Sequence, residues 1–189
     1  VKSTALPLCL FLSLTNIRAQ EVSVPVDVQL RLFLKLLHYD RNLKARSEKE
    51  IVIGVVYQPR FRASVDTKDE FLHFAEELQE KPLDGIPFRC TPIRLDAEKN
   101  LSSAIRDNDI HLLYITPLRA VSIEKITEIT RAQKVLTLTG VPEYVELGVA
   151  IGIDSKGQRP LIVVNVSSAK AEGADLSSKL LRLKLVKTI

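Results

Sequence analysis

IVIGVVYQPRFRASVDTKDEFLHFAEELQ, residues 51–79, decides the fold class of this 189-residue chain. Its first seven residues, Ile51–Tyr57, form an unbroken run rich in β-branched residues, the signature of a strand buried on both faces. From Lys68 to Gln79 the period changes. Phe71, Phe74, Ala75 and Leu78 fall on one face of a helix, with Asp66 or Thr67 as its cap. A fully buried strand followed by an amphipathic helix is the repeating unit of a parallel α/β sheet.

The same unit recurs downstream. The Asp84-Gly85 turn leads into a strand over Phe88–Leu95, where Pro92 calls for an edge position or a bulge. Leu101–Asn108 reads as a helix and Ile110–Thr116 as a strand. Ser122–Ala132 is a helix capped by Ser122, with Ile123, Ile126 and Ile129 inward, and Val135–Thr139 is a strand ended by Gly140. The pattern then breaks. Val149–Ile153 and Pro160–Val166 flank the polar stretch Asp154–Gln158, which predicts an antiparallel hairpin. Leu180, Leu181, Leu183 and Leu185 predict a final helix over Ser177–Val186. Upstream, Val26, Leu30, Phe33, Leu34, Leu36 and Leu37 mark an amphipathic helix over Val26–Tyr39, and the polar stretch Arg41–Glu50 reads as a linker. The expected fold is a three-layer α/β/α domain with a largely parallel central sheet. A late antiparallel hairpin and helices at both ends complete it.

Residues 1–20 read as a secretory signal peptide, leaving a single domain over 21–189. Lys2 supplies the positive end, Ala5–Leu14 a short apolar run, and Ile17 and Ala19 the −3 and −1 positions of a cleavage site. That run is too short to span a bilayer. Cys9 follows Leu-Pro-Leu, not the small residue that lipidation requires. The chain is therefore expected to be exported, with no stable membrane insertion after cleavage. The net charge of +4 drops to +2 once Lys2 and Arg18 are removed, and the remaining charges alternate in sign. No basic stripe with interleaved aromatics points to nucleic acid. Cys90 is then the lone cysteine, beside Phe88 and Ile93 in a strand, where it reads as small apolar filling.

No catalytic constellation stands out. His38, His73 and His111 are scattered without metal-ligand spacing, and neither a glycine-rich phosphate loop nor a nucleophile elbow follows a strand. The chain is expected to be a non-enzyme without cofactor or metal. Open parallel sheets do bind ligands beyond the carboxyl ends of their strands. Tyr57, Gln58, Arg60 and Arg62 follow the first strand here, Thr116 and Arg119 the third, and Thr139, Gly140 and Glu143 the fourth. These are the candidate ligand- or partner-binding residues, with ordinary solvated loops as the alternative.

Several segments carry a resemblance: the helix VQLRLFLKLLHYDRN, the strand IVIGVVYQPRF and the segment IHLLYITP. The clearest are KVLTLTGVPEYVELGVAIGI and RPLIVVNVSSAKAEGADLSSKLLRLKLV, with Asn165 after an apolar strand, then Gly173 and the closing Ser-Ser-Lys-Leu-Leu-Arg-Leu. In this order they resemble the YfiR/HmsC-like family of small bacterial periplasmic proteins over nearly all of the mature chain. The resemblance implies a non-catalytic regulatory protein. Characterised members restrain a membrane-bound diguanylate cyclase through its periplasmic portion, lowering cyclic-di-GMP and biofilm-type output, and members form homodimers. The implied partner is thus a membrane-bound sensor protein, a diguanylate cyclase or a histidine kinase. Members of this type also carry disulfide-forming cysteines whose redox state affects activity, a switch that a lone Cys90 does not provide. The alternative function is a periplasmic small-ligand-binding module that feeds a membrane sensor or transporter.

Overall fold

The computed structural model describes residues 22–47, 49–78, 86–95, 100–157 and 159–189, so the expected leader and the Asp84-Gly85 turn lie outside the described residues. Elements follow the order α1 (Val26–Leu37), α2 (Leu43–Arg46), β1 (Ile51–Tyr57), α3 (Arg62–Leu78), β2 (Phe88–Arg94), α4 (Leu101–Asp107), β3 (Leu112–Ile115), α5 (Ile123–Gln133) and β4 (Leu136–Thr139). Then come α6 (Glu143–Glu146), β5 (Ile151–Lys156), β6 (Arg159–Val164), α7 (Val166–Ala171), α8 (Ser178–Leu181) and β7 (Val186–Thr188).

All the strands join one sheet of order β2-β1-β3-β4-β5-β6-β7. Pairings are parallel except β5 with β6, the expected hairpin. Pro92 lies in β2, at the edge of the sheet, where its missing N–H leaves no gap in the ladder. The sheet separates two apolar layers. One holds α1 and α3, with Leu30, Phe33, Phe71 and Ala75 packed on Leu112, Tyr114 and Leu138. The other holds α4 and α5, with Leu101, Ile105, Ile123 and Ile126 packed on Val56, Leu113 and Ile115. Tyr114 centres the first layer, stacked on Phe71 at 4.2 Å and edge-on to Phe33 at 6.0 Å. These layers realise the three-layer α/β/α architecture.

Boundaries moved where polar residues turn inward. The third helix begins at Arg62, not near Lys68, because Ser64 and Thr67 are buried polar residues that hide the apolar stripe. The Arg41–Glu50 linker contains the short α2, which buries Leu43. The hairpin turn is tighter than the polar stretch suggests, since β5 continues through Lys156 and Gly157 takes φ 65°. The final helix is a single turn. Beyond Leu181 the chain turns over residues 182–185 and enters β7, which adds to the sheet parallel to β6. Leu183 N–H bonds the Leu180 carbonyl at 3.0 Å and Val186 N–H the Leu183 carbonyl at 2.9 Å, so Leu183 and Leu185 lie in successive turns and not on a helix.

The end of α1 is stitched to the C-terminal segment. Asp40 Oδ1 accepts the backbone N–H groups of Asn42 (3.0 Å) and Asp175 (2.9 Å). Arg41 N–H reaches the Asp175 carbonyl at 3.0 Å, and Ser177 N–H reaches the Tyr39 carbonyl at 3.0 Å.

Candidate functional site

The order 2-1-3-4-5 of the parallel strands places the topological switch between β1 and β3. The loop after β1 turns toward the layer of α3, and the loop after β3 toward the layer of α5. Between such diverging loops lies the crevice where doubly wound sheets bind ligands.

Here the crevice is bridged from within. The Gln58 carboxamide donates from Nε2 to the Arg119 carbonyl at 2.9 Å and accepts the Arg119 N–H on Oε1 at 2.6 Å. Beneath it runs a directed chain of hydrogen bonds. Gln58 N–H donates to Ser64 Oγ (2.9 Å), Ser64 Oγ meets Thr116 Oγ1 (2.6 Å), and Thr116 Oγ1 donates to the Val56 carbonyl (2.8 Å). A threonine hydroxyl has a single proton, so Ser64 is the donor to Thr116. The loop after β3 is also held from its far side. Tyr144 Oη accepts Leu118 N–H at 2.8 Å and faces the Leu118 carbonyl at 3.3 Å. Ala120, next to these anchors, sits at φ 53°, a left-handed conformation that costs a non-glycine residue about 1 kcal/mol or more.

On the β2 side of the bridge opens a cavity of about 520 Å³, lined by Gln58, Pro59, Arg60, Phe61, Arg94, Leu95 and Arg119. The Arg119 guanidinium lies over the Phe61 ring at 4.3 Å. Leu95 N–H bonds the Tyr57 carbonyl at 2.9 Å, which fixes the exit of β2 beside that of β1.

The candidate residues divide accordingly. Arg60 and Arg119 share this cavity. Tyr57 is half-buried, with Lys68 Nζ 4.9 Å from its ring centre. Arg62 is exposed on α3 and pairs with Asp66 at 3.4 Å. Thr116 and Thr139 are fully buried and bonded internally; Thr139 Oγ1 donates to the Ile115 carbonyl and accepts Val141 N–H. Gly140 is buried beneath Gln29 of α1. Glu143 lies apart, in a hollow of about 200 Å³ with Glu146, Asp154 and Lys187. Sequence reasoning missed Arg94, although the strand-end rule applied to the exit of β2 would have found it.

Chemistry of other kinds finds little footing. His111 Nδ1 accepts Val52 N–H at 3.2 Å, and His73 pairs with Glu77 along α3. Among the described residues no His, Cys, Asp or Glu group is arranged to hold a metal, and no helix is long and apolar enough to cross a membrane. Cys90 is half-buried against the core, and burial pushes its thiol up to about 12. It packs as a small apolar residue.

A second polar cluster is wholly internal. Glu172 is buried beyond the end of α7 and accepts Thr137 N–H at 2.8 Å. β5 pairs with β4 only from Leu138 onward, so this carboxyl stands where a ladder acceptor is missing. The hydroxyls of Thr130 (2.8 Å) and Thr137 (2.9 Å) also reach it. Burial holds the Glu172 carboxyl up at about 7, against 4.5 for a free one.

Fold and crevice define a doubly wound α/β domain extended by an antiparallel hairpin and a seventh strand, with a polar crevice at its switch point. The YfiR/HmsC-like family matches residues 27–184, and the chain belongs to that family. Solved structures share the fold. A conserved domain protein from Vibrio cholerae aligns with TM-score 0.57 at 16% identity, covering 86% of this chain and 60% of its own. The ABC domain in complex with L-Trp from Streptococcus pneumonia aligns with TM-score 0.62 at 12% identity, covering 87% and 61%. A ligand-free, open substrate-binding protein with adhesive properties from Clostridium difficile aligns with TM-score 0.59 at 18% identity, covering 88% and 60%. The chain thus spans about three fifths of the length of each. No curated protein matches the sequence at a significant level.

Proposed function

We propose that the chain is a periplasmic, non-catalytic regulator that restrains a membrane-bound diguanylate cyclase by contacting its periplasmic portion. Family membership over residues 27–184, which takes in the sheet from β1 through β6 and both apolar layers, carries this reading. Deleting the gene is expected to raise cellular cyclic-di-GMP and biofilm formation, and re-expression to reverse both. Unchanged levels in the deletion strain would count against a cyclase partner. Affinity capture from membranes with the mature protein then separates a cyclase from a histidine kinase.

A second reading is a small-ligand-binding module that feeds a membrane sensor or transporter. The preformed cavity at the switch point favours it, being within the usual range of ~300–1,000 Å³ for ligand sites. A thermal-shift screen with amino acids, nucleosides and anions tests it, since a ligand of the folded state raises the midpoint.

A further inference from the structure

The cavity beside the Gln58–Arg119 bridge draws three guanidinium groups from three different chain segments. Arg60 comes from the loop after β1, Arg94 from the end of β2 and Arg119 from the loop after β3. The other described lining residues are Gln58, Pro59, Phe61 and Leu95. Arginine forks match the oxygens of phosphate and carboxylate groups by paired N–H donors.

One of these arginines, Arg119, stands on a built support. Arg119 is fixed at its backbone by the Gln58 carboxamide and at its guanidinium by the Phe61 ring. The same loop is tied at Leu118 by Tyr144 and holds Ala120 at positive φ. Strain of that kind persists where surrounding structure over-determines it, and it collects at ligand clamps. An arginine already held in place spares a ligand part of the ordering cost of binding.

We infer that the crevice at the β1–β3 switch binds a small organic or inorganic anion bearing phosphate or carboxylate groups, held by Arg60, Arg94 and Arg119. This inference rests on the second reading above and names the ligand chemistry of that site. The volume exceeds a single phosphate group and suits a molecule with two or more anionic groups, or one with a neutral portion attached. The anion would neutralise the mouth of the crevice and tie the exits of β1, β2 and β3 together, changing the charge of the face they form.

The test uses the mature protein, with phosphate, pyrophosphate and citrate titrated at constant ionic strength and followed by calorimetry. Backbone amide shifts from NMR on the unsubstituted protein map the site without any variant. Saturable binding is expected, with shifts centred on residues 58–61, 94–95 and 118–120. Arg60→Gln, Arg94→Gln and Arg119→Gln should each weaken it by about tenfold, while Arg159→Gln, on the distant β6, leaves it unchanged. Two results overturn the inference: no saturable binding of any of the three anions, or binding that survives the triple substitution. Neutral amino acids or nucleosides that bind where the anions do not would also overturn it, yet leave the ligand-binding reading standing. Silence across the whole screen would remove both.

Discussion

The carboxamide of Gln29 occupies the space that a Cβ on Gly140 would need. Gln29 is fully buried, donates to the Val24 carbonyl at 2.7 Å and accepts the Tyr114 hydroxyl at 2.9 Å. The glycine after β4 therefore admits a polar side chain that locks the start of α1 over the sheet. It is a packing device, although its place at a strand end made it a candidate binding residue. Gly140→Ala forces the carboxamide aside. Overpacking of this kind costs about 1–3 kcal/mol, and the orphaned Tyr114 hydroxyl adds to it. Urea denaturation should show that loss, with Gln29→Ala in the same chain giving less than the sum of the two single effects. Strict additivity would mean that the two residues do not share this space.

Glu172 makes stability depend on pH. Its folded-state carboxyl titrates at about 7, above the 4.5 of a free glutamate. The folded protein thus holds a proton that the unfolded chain has released between those values. Stability from this group is fully present below pH 4.5 and is lost as pH rises through 7, by on the order of 3 kcal/mol. Glu172→Gln mimics the protonated form, so it should flatten the profile between pH 5 and 8. Glu172→Ala should destabilise at both ends. A wild-type midpoint that climbs with pH over this window would reverse the assignment.

Gln58→Ala removes both bonds to the Arg119 backbone and leaves the Ser64–Thr116 bond and the Arg119–Phe61 contact between the two loops. A cost of about 1–2 kcal/mol is expected for two partly exposed bonds. Amide exchange should rise at residues 118–120 and not in the β3 core. Tyr144→Phe should act on the same loop from the other side, and a change confined to α6 would contradict that.

Cys90 should be inert. With its thiol pushed up to about 12 by burial, almost no thiolate exists at neutral pH. A thiol reagent should label the native protein far more slowly than the denatured chain. Cys90→Ala should cost about 1 kcal/mol or less, in keeping with a half-buried side chain. Rapid labelling of the native state would show an exposed, activated sulfur instead.

Much of the fold was legible because the strands announce themselves. Ile51–Tyr57 is apolar throughout, since helices cover both its faces, and Ser122 caps its helix by accepting Lys125 N–H at 3.2 Å as its position suggests. Legibility failed where polar side chains go inward. Ser64 and Thr67 disguised the start of α3, and Gln29 and Glu172 look like surface residues until their partners are seen. Those partners come from β3, β4 and α5, far away in sequence, and no local pattern reports them. The candidate site was half legible. The strand-end rule found Arg60 and Arg119, but it could not distinguish side chains facing a cavity from Thr116 and Thr139, which face the interior.

The stitch around Asp40 has a kinetic consequence. Its bond to Asp175 closes a span of 135 residues, so the C-terminal end of α1 is not stitched in this way until Asp175 is made. At a synthesis rate of ~5–20 residues per second, that end waits on the order of ten seconds for its partner. Contacts between such remote segments also slow folding, because the loop must close before they reward it. For that interval the C-terminal end of α1 lacks the Asp40 stitch and stays open to chaperones, while Gln29 can hold its start through Tyr114. The end of α1 is thus timed by a residue far along the chain.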